Sequence, residues 1–294
     1  MTTAQSAVCT DRVVLDHWHP IAGVDDLTPG STRTVELLGH TLRIEVDADR
    51  SVTVSRAQDE SATPVEHRLE YLLLWVCLGT PNHPLFEIDE FHEPDRRNVY
   101  AGSFGVHTSA PRAVENFLDM AHFPFVHTNI LGVEPFTEVN DYKVHVDPAT
   151  NDIWATEGVF YQPMAATTST EGQMSDYVYR VPHPYGVMLY KTTPIDAERM
   201  DVIALFCQVE RPDHIRGHMF LSLLDDQNTD AVIRRFQQTI FGQDKPILEN
   251  QLPRLLPLDP AAETPIRADR SAIAYRQWLH ELDIRYGVIP VGEQ

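Results

Sequence analysis

An α+β fold built on an antiparallel sheet is what this sequence predicts, and two observations predict it. Short segments, several alternating apolar and polar residues as strands do, fill most of the chain. Helical periodicity is confined to a stretch near residue 110 and to the region after the last strand, so strands and helices are segregated. The 294 residues, 43% of them hydrophobic, suffice for one large domain or for a small domain joined to a medium one.

The first region, 1–95, reads as short strands. Segments 34–38 and 42–46 flank Gly39-His40, which reads as a hairpin turn. Segment 52–54 is a further strand and a polar stretch covers 57–66. Segment 71–77, rich in β-formers and nearly all apolar, reads as a buried strand. Acidic residues and Pro94 make 89–97 a linker. The second region, 96–294, opens with a strand at 98–107. Ser109 can cap a helix whose first turn tolerates Pro111, and Val114, Phe117, Leu118 and Ala121 recur at helical spacing. Strands follow at 142–146, 153–160, 177–181, 187–193, 201–209 and 218–224. A long helix over 229–252 stops near Pro253 and Pro257, and Ile273, Trp278 and Leu282 mark an amphipathic helix over 271–282.

The chain carries 23 Lys+Arg against 43 Asp+Glu, a formal charge of -20. Such a surface repels nucleic acid and anionic membranes, and suits a basic protein partner or a neutral or cationic small substrate. The longest dense apolar stretch, 71–78, is far short of the roughly 18 residues that span a bilayer. The first residues lack the basic and apolar regions of a signal peptide. Cys9, Cys77 and Cys207 are too scattered to suggest a disulfide framework. The expectation is a cytoplasmic protein with neither nucleic acid nor membrane as partner.

The most informative block is 115–128, which contains Asn116, Asp119, His122, Pro124 and His127. Two histidines five apart mean little alone, since 14 histidines in this length make one such pair nearly expected by chance. On an ideal helix they would lie roughly 140° apart, too far for one site. Pro124 removes a helical donor between them, so the turn can distort and let both imidazoles converge. Asp119, three residues before His122 and on the same helical face, could accept the N–H of a ligating imidazole and fix its tautomer; a solvated carboxylate is the alternative. Fe(II) that binds oxygen needs a third protein ligand, a carboxylate, and open positions. By sequence alone Asp225, Asp226, Asp244 and Glu249 all compete for that place. No H-E-x-x-H and no P-C-x-x-C segment occurs, which argues against zinc proteases and zinc deaminases.

The block resembles the N-x-x-D-x-x-H-x-x-x-x-H motif in the catalytic domain of Rieske-type non-haem iron oxygenases. The stretch from Phe241 through Asp244 to Glu249 resembles the F-x-[EQ]-D-x-x-x-x-E segment that carries the carboxylate ligand in the vanillate and dicamba demethylase branch, which favours Asp244. The resemblance implies a helix-grip (START-like) catalytic domain over 96–294, an antiparallel sheet closed by a long C-terminal helix. It implies Fe(II) held by His122, His127 and Asp244, with Asn116 near the iron and Asp119 on the electron path. Family members also hold a [2Fe–2S] cluster through C-x-H and C-x-x-H segments. Cys9, Cys77 and Cys207 satisfy neither, although His17-Trp18-His19-Pro20-Ile21-Ala22 and Leu74-Trp75-Val76 are similar to strands that frame such a domain. Region 1–95 is therefore expected to be a truncated Rieske-like β-module without a cluster.

A narrower similarity, over 115–132, 236–244 and 274–279, is to methylxanthine N-demethylases; it extends over nearly the whole chain and is weakest at 57–67. It implies a monooxygenase component that oxidatively demethylates 7-methylxanthine to xanthine plus formaldehyde. Electrons would come from a Rieske-bearing NAD(P)H reductase, with a cluster-bearing sibling oxygenase or an accessory subunit as further partners. Tyr179, Tyr190, Phe206 and Phe220 lie on the strands and are candidates for stacking on a small aromatic heterocycle. The alternatives are a non-catalytic binding or structural subunit of an oxygenase complex, or an oxygenase for another aromatic substrate.

Overall fold

In a computed structural model, which describes residues 7–58, 64–81, 83–196 and 198–293, strands form where the alternation predicts them. The first six residues, read above for a signal peptide, and the middle of the polar stretch at 57–66 lie outside the described residues. A one-turn helix, α1 (Arg12–Leu15), precedes β1 (His19–Gly23). Strands β2 (Ser31–Leu37), β3 (His40–Val46) and β4 (Val52–Arg56) form one three-stranded sheet. Strands β5 (Glu66–Glu70) and β6 (Leu73–Cys77) form a second with β1, in the order β1-β6-β5. The β2–β3 turn is Leu38-Gly39, both at positive φ (53° and 76°), one residue earlier than the pattern suggested. Leu38 tolerates this because its amide and that of Gly39 donate to the Val209 and Glu210 carbonyls of the main sheet.

The main sheet contains β7 (Arg97–Val106), β8 (Lys143–Val146), β9 (Ile153–Gln162), β10 (Gln173–His183), β11 (Gly186–Thr192), β12 (Met200–Arg211) and β13 (His214–Leu223). It is antiparallel throughout, in the order β7-β13-β12-β11-β10-β9-β8. Between β7 and β8 the chain forms α2 (Ala110–Leu118) and α3 (Phe123–Val126). After β13 comes the long helix α4 (Asp230–Asn250), then β14 (Leu256–Pro257), α5 (Arg270–Glu281) and β15 (Val288–Ile289), which pairs with β14. This is the α+β, helix-grip arrangement expected. Among the described residues no helix is long and apolar enough to cross a membrane.

Strands β11–β13 are buried on both faces, and this governs where each side chain goes. Leu189, Ile203, Leu205, Met219 and Leu221 share one face with Tyr177 and Tyr179 and join the core under α4. Met188, Val202, Ala204, Phe206 and Phe220 occupy the other face, against Leu73 and Trp75 of the small β1-β6-β5 sheet and the flanking Trp18 and Tyr71. Segment 89–97, read as a linker, is anchored although Asp89, His92, Pro94 and Asp95 are exposed. Ile88 and Phe91 pack into that second cluster, and buried Arg96 donates to the Met200 carbonyl at 2.7 Å.

Trp75 is fully buried at this junction, with ring contacts to Phe206 (5.2 Å) and Phe86 (5.7 Å). Trp75→Ala should lower stability in urea unfolding by about 3–5 kcal/mol; a loss under 1 kcal/mol would mean that the small sheet does not pack on the large one as described.

Candidate metal centre

The two histidines of the motif come from a break between helices. Ser109 caps α2 by accepting from the Arg112 amide at 3.4 Å. The helix ends at Leu118, and Asp119 is its C-cap in extended geometry (φ −83°, ψ 120°). His122 is the N-cap of α3 and His127 its C-cap. The helix expected to carry Asp119 and His122 on one face thus stops before both. Pro124 does not distort a continuing helix; it sits in the first turn of a new one, where its missing N–H has no partner to lose. Phe123 wedges this turn against the sheet through Phe160 and Tyr177, with centroids 5.5 and 5.8 Å away. On the other side, a Cβ at Gly132 would lie 2.6 Å from the Pro124 nitrogen, so only glycine lets the following loop close onto the turn.

Helix α2 is held from below by a charge network in which Arg112, Glu115 and Arg276 are buried and Glu263 partly so. Arg112 bonds Glu115 at 3.0 Å and Glu263 at 2.6 Å, and Arg276 of α5 bonds Glu115 at 2.7 Å and also Glu263. Two guanidiniums against two carboxylates leave no net charge to bury.

From the opposite side α4 delivers Asp244. His122 Nε2 and His127 Nε2 are 3.2 Å apart, and Asp244 Oδ1 lies 3.4 and 3.0 Å from them. Each imidazole is oriented through its other nitrogen. His122 Nδ1 faces Asp119 Oδ2 at 3.2 Å, and His127 Nδ1 faces Gln243 Oε1 at 2.9 Å. Both partners are acceptors there, so both Nδ1 atoms carry protons and both Nε2 atoms aim at one spot. Asp244 Oδ1 is buried and, although within ion-pair distance of both rings, has no contact of hydrogen-bond geometry. A buried carboxylate oxygen without a donor, facing two imidazole nitrogens, is a donor set that a divalent cation satisfies.

The charges agree with this. Burial by itself lowers the His122 imidazole, but the Asp119 and Asp244 carboxylates outweigh it and raise it to about 9. Burial of Asp244 is likewise outweighed by His122 and His127, which hold its carboxyl below the usual range. The two carboxylates thus favour positive charge at this spot.

The competing carboxylates are engaged elsewhere. Asp225 accepts from the Gln227 and Asn228 amides and from Thr167, and Glu249 from Lys245 and the His107 amide. Asp226 is exposed. A second group, His107, Asp213 and His214, is half-exposed, and the one carboxylate already partners both rings at 3.2 and 2.8 Å.

An apolar cavity opens beside the triangle. Its sheet wall includes Tyr177, Tyr179, Leu189 and Ile203, and its helix wall Phe236, Gln237, Ile240 and Phe241 of α4. Asn116 borders both this cavity and an outer groove beside Asp119. Of the four aromatic candidates only Tyr179 reaches the cavity. Phe206 and Phe220 belong to the opposite face of the sheet, and Tyr190 packs against that same cluster. With both faces apolar, the alternation gave no sign of which parity faces α4. Gln243 and Lys191 were missed; Gln243 had a signal, as the residue beside Asp244 in the same segment.

Because a metal must displace the proton that His122 keeps up to about pH 9, its apparent affinity depends on pH. Anaerobic Fe(II) titration against a chelator should show affinity rising about tenfold per pH unit as pH approaches that value, then levelling. A flat profile would contradict a protonated His122 in the metal-free site.

Comparison with known proteins shows the family. Residues 106–283 match the family model of the vanillate O-demethylase oxygenase C-terminal domain. Over 274 residues the chain is 43% identical to a probable methylxanthine N7-demethylase, NdmC, of Pseudomonas sp. (strain TJI-51), covering 93% of this chain and 96% of that one. It is 26% identical to the methylxanthine N3-demethylase NdmB of Pseudomonas putida over 74% of this chain and 59% of that longer one. Among solved structures, Pseudomonas putida CBB5 NdmA with caffeine superposes with a TM-score of 0.73 at 18% identity, over 92% of this chain and 91% of that one. Dicamba monooxygenase bound to 3,6-dichlorosalicylic acid has a TM-score of 0.73 at 15% identity, over 92% and 97%. The chain belongs to the vanillate-demethylase branch of the Rieske-type non-haem iron oxygenases, a family of oxidative enzymes.

Proposed function

We propose that His122, His127 and Asp244 hold Fe(II), and that the chain is the terminal oxygenase component of a methylxanthine N-demethylase that converts 7-methylxanthine to xanthine plus formaldehyde. The observation that carries this reading is the unpartnered Asp244 Oδ1 facing two Nε2 atoms at the edge of an apolar cavity. The names of the relatives at 43% and 26% identity supply the substrate class. Bound iron supplies activation of O₂ for hydroxylation of an N-methyl group, whose product loses formaldehyde.

The chain's own residues would do the rest. Phe117, Tyr177, Phe236 and Phe241 give a flat heterocycle an apolar slot and keep water from the reacting methyl. Asp119 and Gln243 hold the two imidazoles in the ligating tautomer. Asp119 is about one-third exposed and borders the outer groove that also includes Ile247 and Ile273. We read that groove as the face where a separate Rieske-bearing NAD(P)H reductase delivers electrons, with a cluster-bearing sibling or an accessory subunit as a further partner. In this reading 1–95 is a truncated Rieske-like module without a cluster, 96–294 is the catalytic domain, and the enzyme works in the cytoplasm.

The test is turnover with NADH, a Rieske-bearing reductase and a methylxanthine panel, reading formaldehyde. The expected result is one formaldehyde per 7-methylxanthine consumed; none from any methylxanthine would overturn the assignment. Asp119→Asn should retain iron yet lower turnover roughly 10–100-fold. Unchanged turnover would remove Asp119 from the path.

A further inference from the structure

The sheet wall of the cavity contains a buried lysine whose charge is offset only at a distance, by the Asp201 carboxylate. Lys191, near the end of β11, is 4% exposed. Its cross-strand neighbours are Tyr177 and Asp201. Among the described residues it makes no ion pair within 4.0 Å, and Asp201 is engaged by the Leu224 amide at 2.8 Å. Its ammonium donates to the Ala165 carbonyl, which leaves further N–H donors unused. Lys191 borders both the cavity beside the metal triangle and an adjoining one that includes Thr167, Asp201 and Asp225. A lysine is almost never fully buried unless paired, and burial pushes this ammonium down to about 8.

A second unspent donor lies in the neighbouring row. The Tyr179 hydroxyl is buried with no hydrogen-bond partner among the described residues, and its residue pairs across the sheet with Leu189, two positions before Lys191. Such a group is costly to leave unmade. Apart from Tyr177, also a hydroxyl donor, and Gln237 on the helix wall, the remaining surface around these two residues is largely apolar or aromatic. An apolar slot with donor side chains on one wall selects a flat ring that presents acceptors along one edge.

We propose that Lys191, assisted by the Tyr179 hydroxyl, is a specificity-determining donor that binds the exocyclic carbonyl oxygens of a planar oxo-heterocycle, holding the ring from the sheet wall while its opposite side faces the metal triangle. This rests on the cavity being the substrate site of the proposed oxygenase, and it extends that reading from a compound class to the groups recognised. Rings without carbonyl oxygens offer only ring nitrogens, set back from where an exocyclic oxygen would reach, so discrimination would come from the penalty of poorly paired buried donors.

The experiment measures binding to iron-loaded, anaerobic protein by calorimetry, with 7-methylxanthine (two ring carbonyls) and 7-methylpurine (none) as probes. Wild type should prefer 7-methylxanthine by more than about tenfold. Lys191→Met should weaken 7-methylxanthine roughly 10–100-fold and leave 7-methylpurine within about twofold, at unchanged iron content. Lys191→Gln, which restores a neutral donor, should recover part of the loss. Tyr179→Phe should show a smaller, equally selective loss, and keeps the test intact if the Met variant does not fold. The proposal is overturned if wild type shows no preference for the carbonyl-bearing ring, if Lys191→Met or Tyr179→Phe binds 7-methylxanthine normally, or if both probes weaken alike. Selective binding without formaldehyde release would instead overturn only the proposed demethylation and leave Lys191 as a carbonyl reader.

Discussion

The docking of α4 onto the α2–α3 break, with one buried carboxylate oxygen against two imidazole nitrogens, is the constraint to which the rest of the site answers. Among the described residues Asp244 Oδ1 has no donor of hydrogen-bond geometry, and neither Nε2 has another partner outside the triangle. Burying such a cluster without a cation is unfavourable, so a proton on His122 or a metal must complete it. The surroundings keep the triangle from relaxing. Phe123 wedges α3 on the sheet, Gly132 closes the loop over it, and the Arg112–Glu115–Arg276–Glu263 network ties α2 to α5. Asp119 and Gln243 then set each ring's tautomer.

The sheet contributes a different constraint. Because β11–β13 are covered on both faces, one set of side chains forms the cavity and the other set welds on the small N-terminal sheet. A one-residue change of parity would exchange the two roles. Lys191 and Tyr179 border the cavity for this reason, as members of strands that are otherwise core. Tyr190, Phe206 and Phe220 are equally aromatic and serve the opposite interface.

This explains which parts of the molecule were legible in the sequence. Asp119, His122 and His127 could be read because their relation is local and their types are chemically specific. The path that brings them together was misjudged, since the helix ends at Leu118 and Pro124 starts another. Asp244 was one of several carboxylates, and only resemblance separated it from Glu249, Asp225 and Asp226; the competitors' partners are tertiary or lie in loop geometry that no spacing displays. The series of strands and the long helix α4 were legible from alternation and period. Which face of a doubly buried strand meets α4 was not, and neither was the anchoring of segment 89–97 through Ile88, Phe91 and Arg96.

The central claim is that this chain holds a single iron at His122, His127 and Asp244 and no cluster of its own. Iron K-edge X-ray absorption on anaerobically purified protein tests it most directly. The account predicts one iron per chain with imidazole nitrogen and oxygen neighbours, lost in His122→Ala. Sulfur neighbours, an iron–iron vector, or an unchanged spectrum in that variant would contradict it.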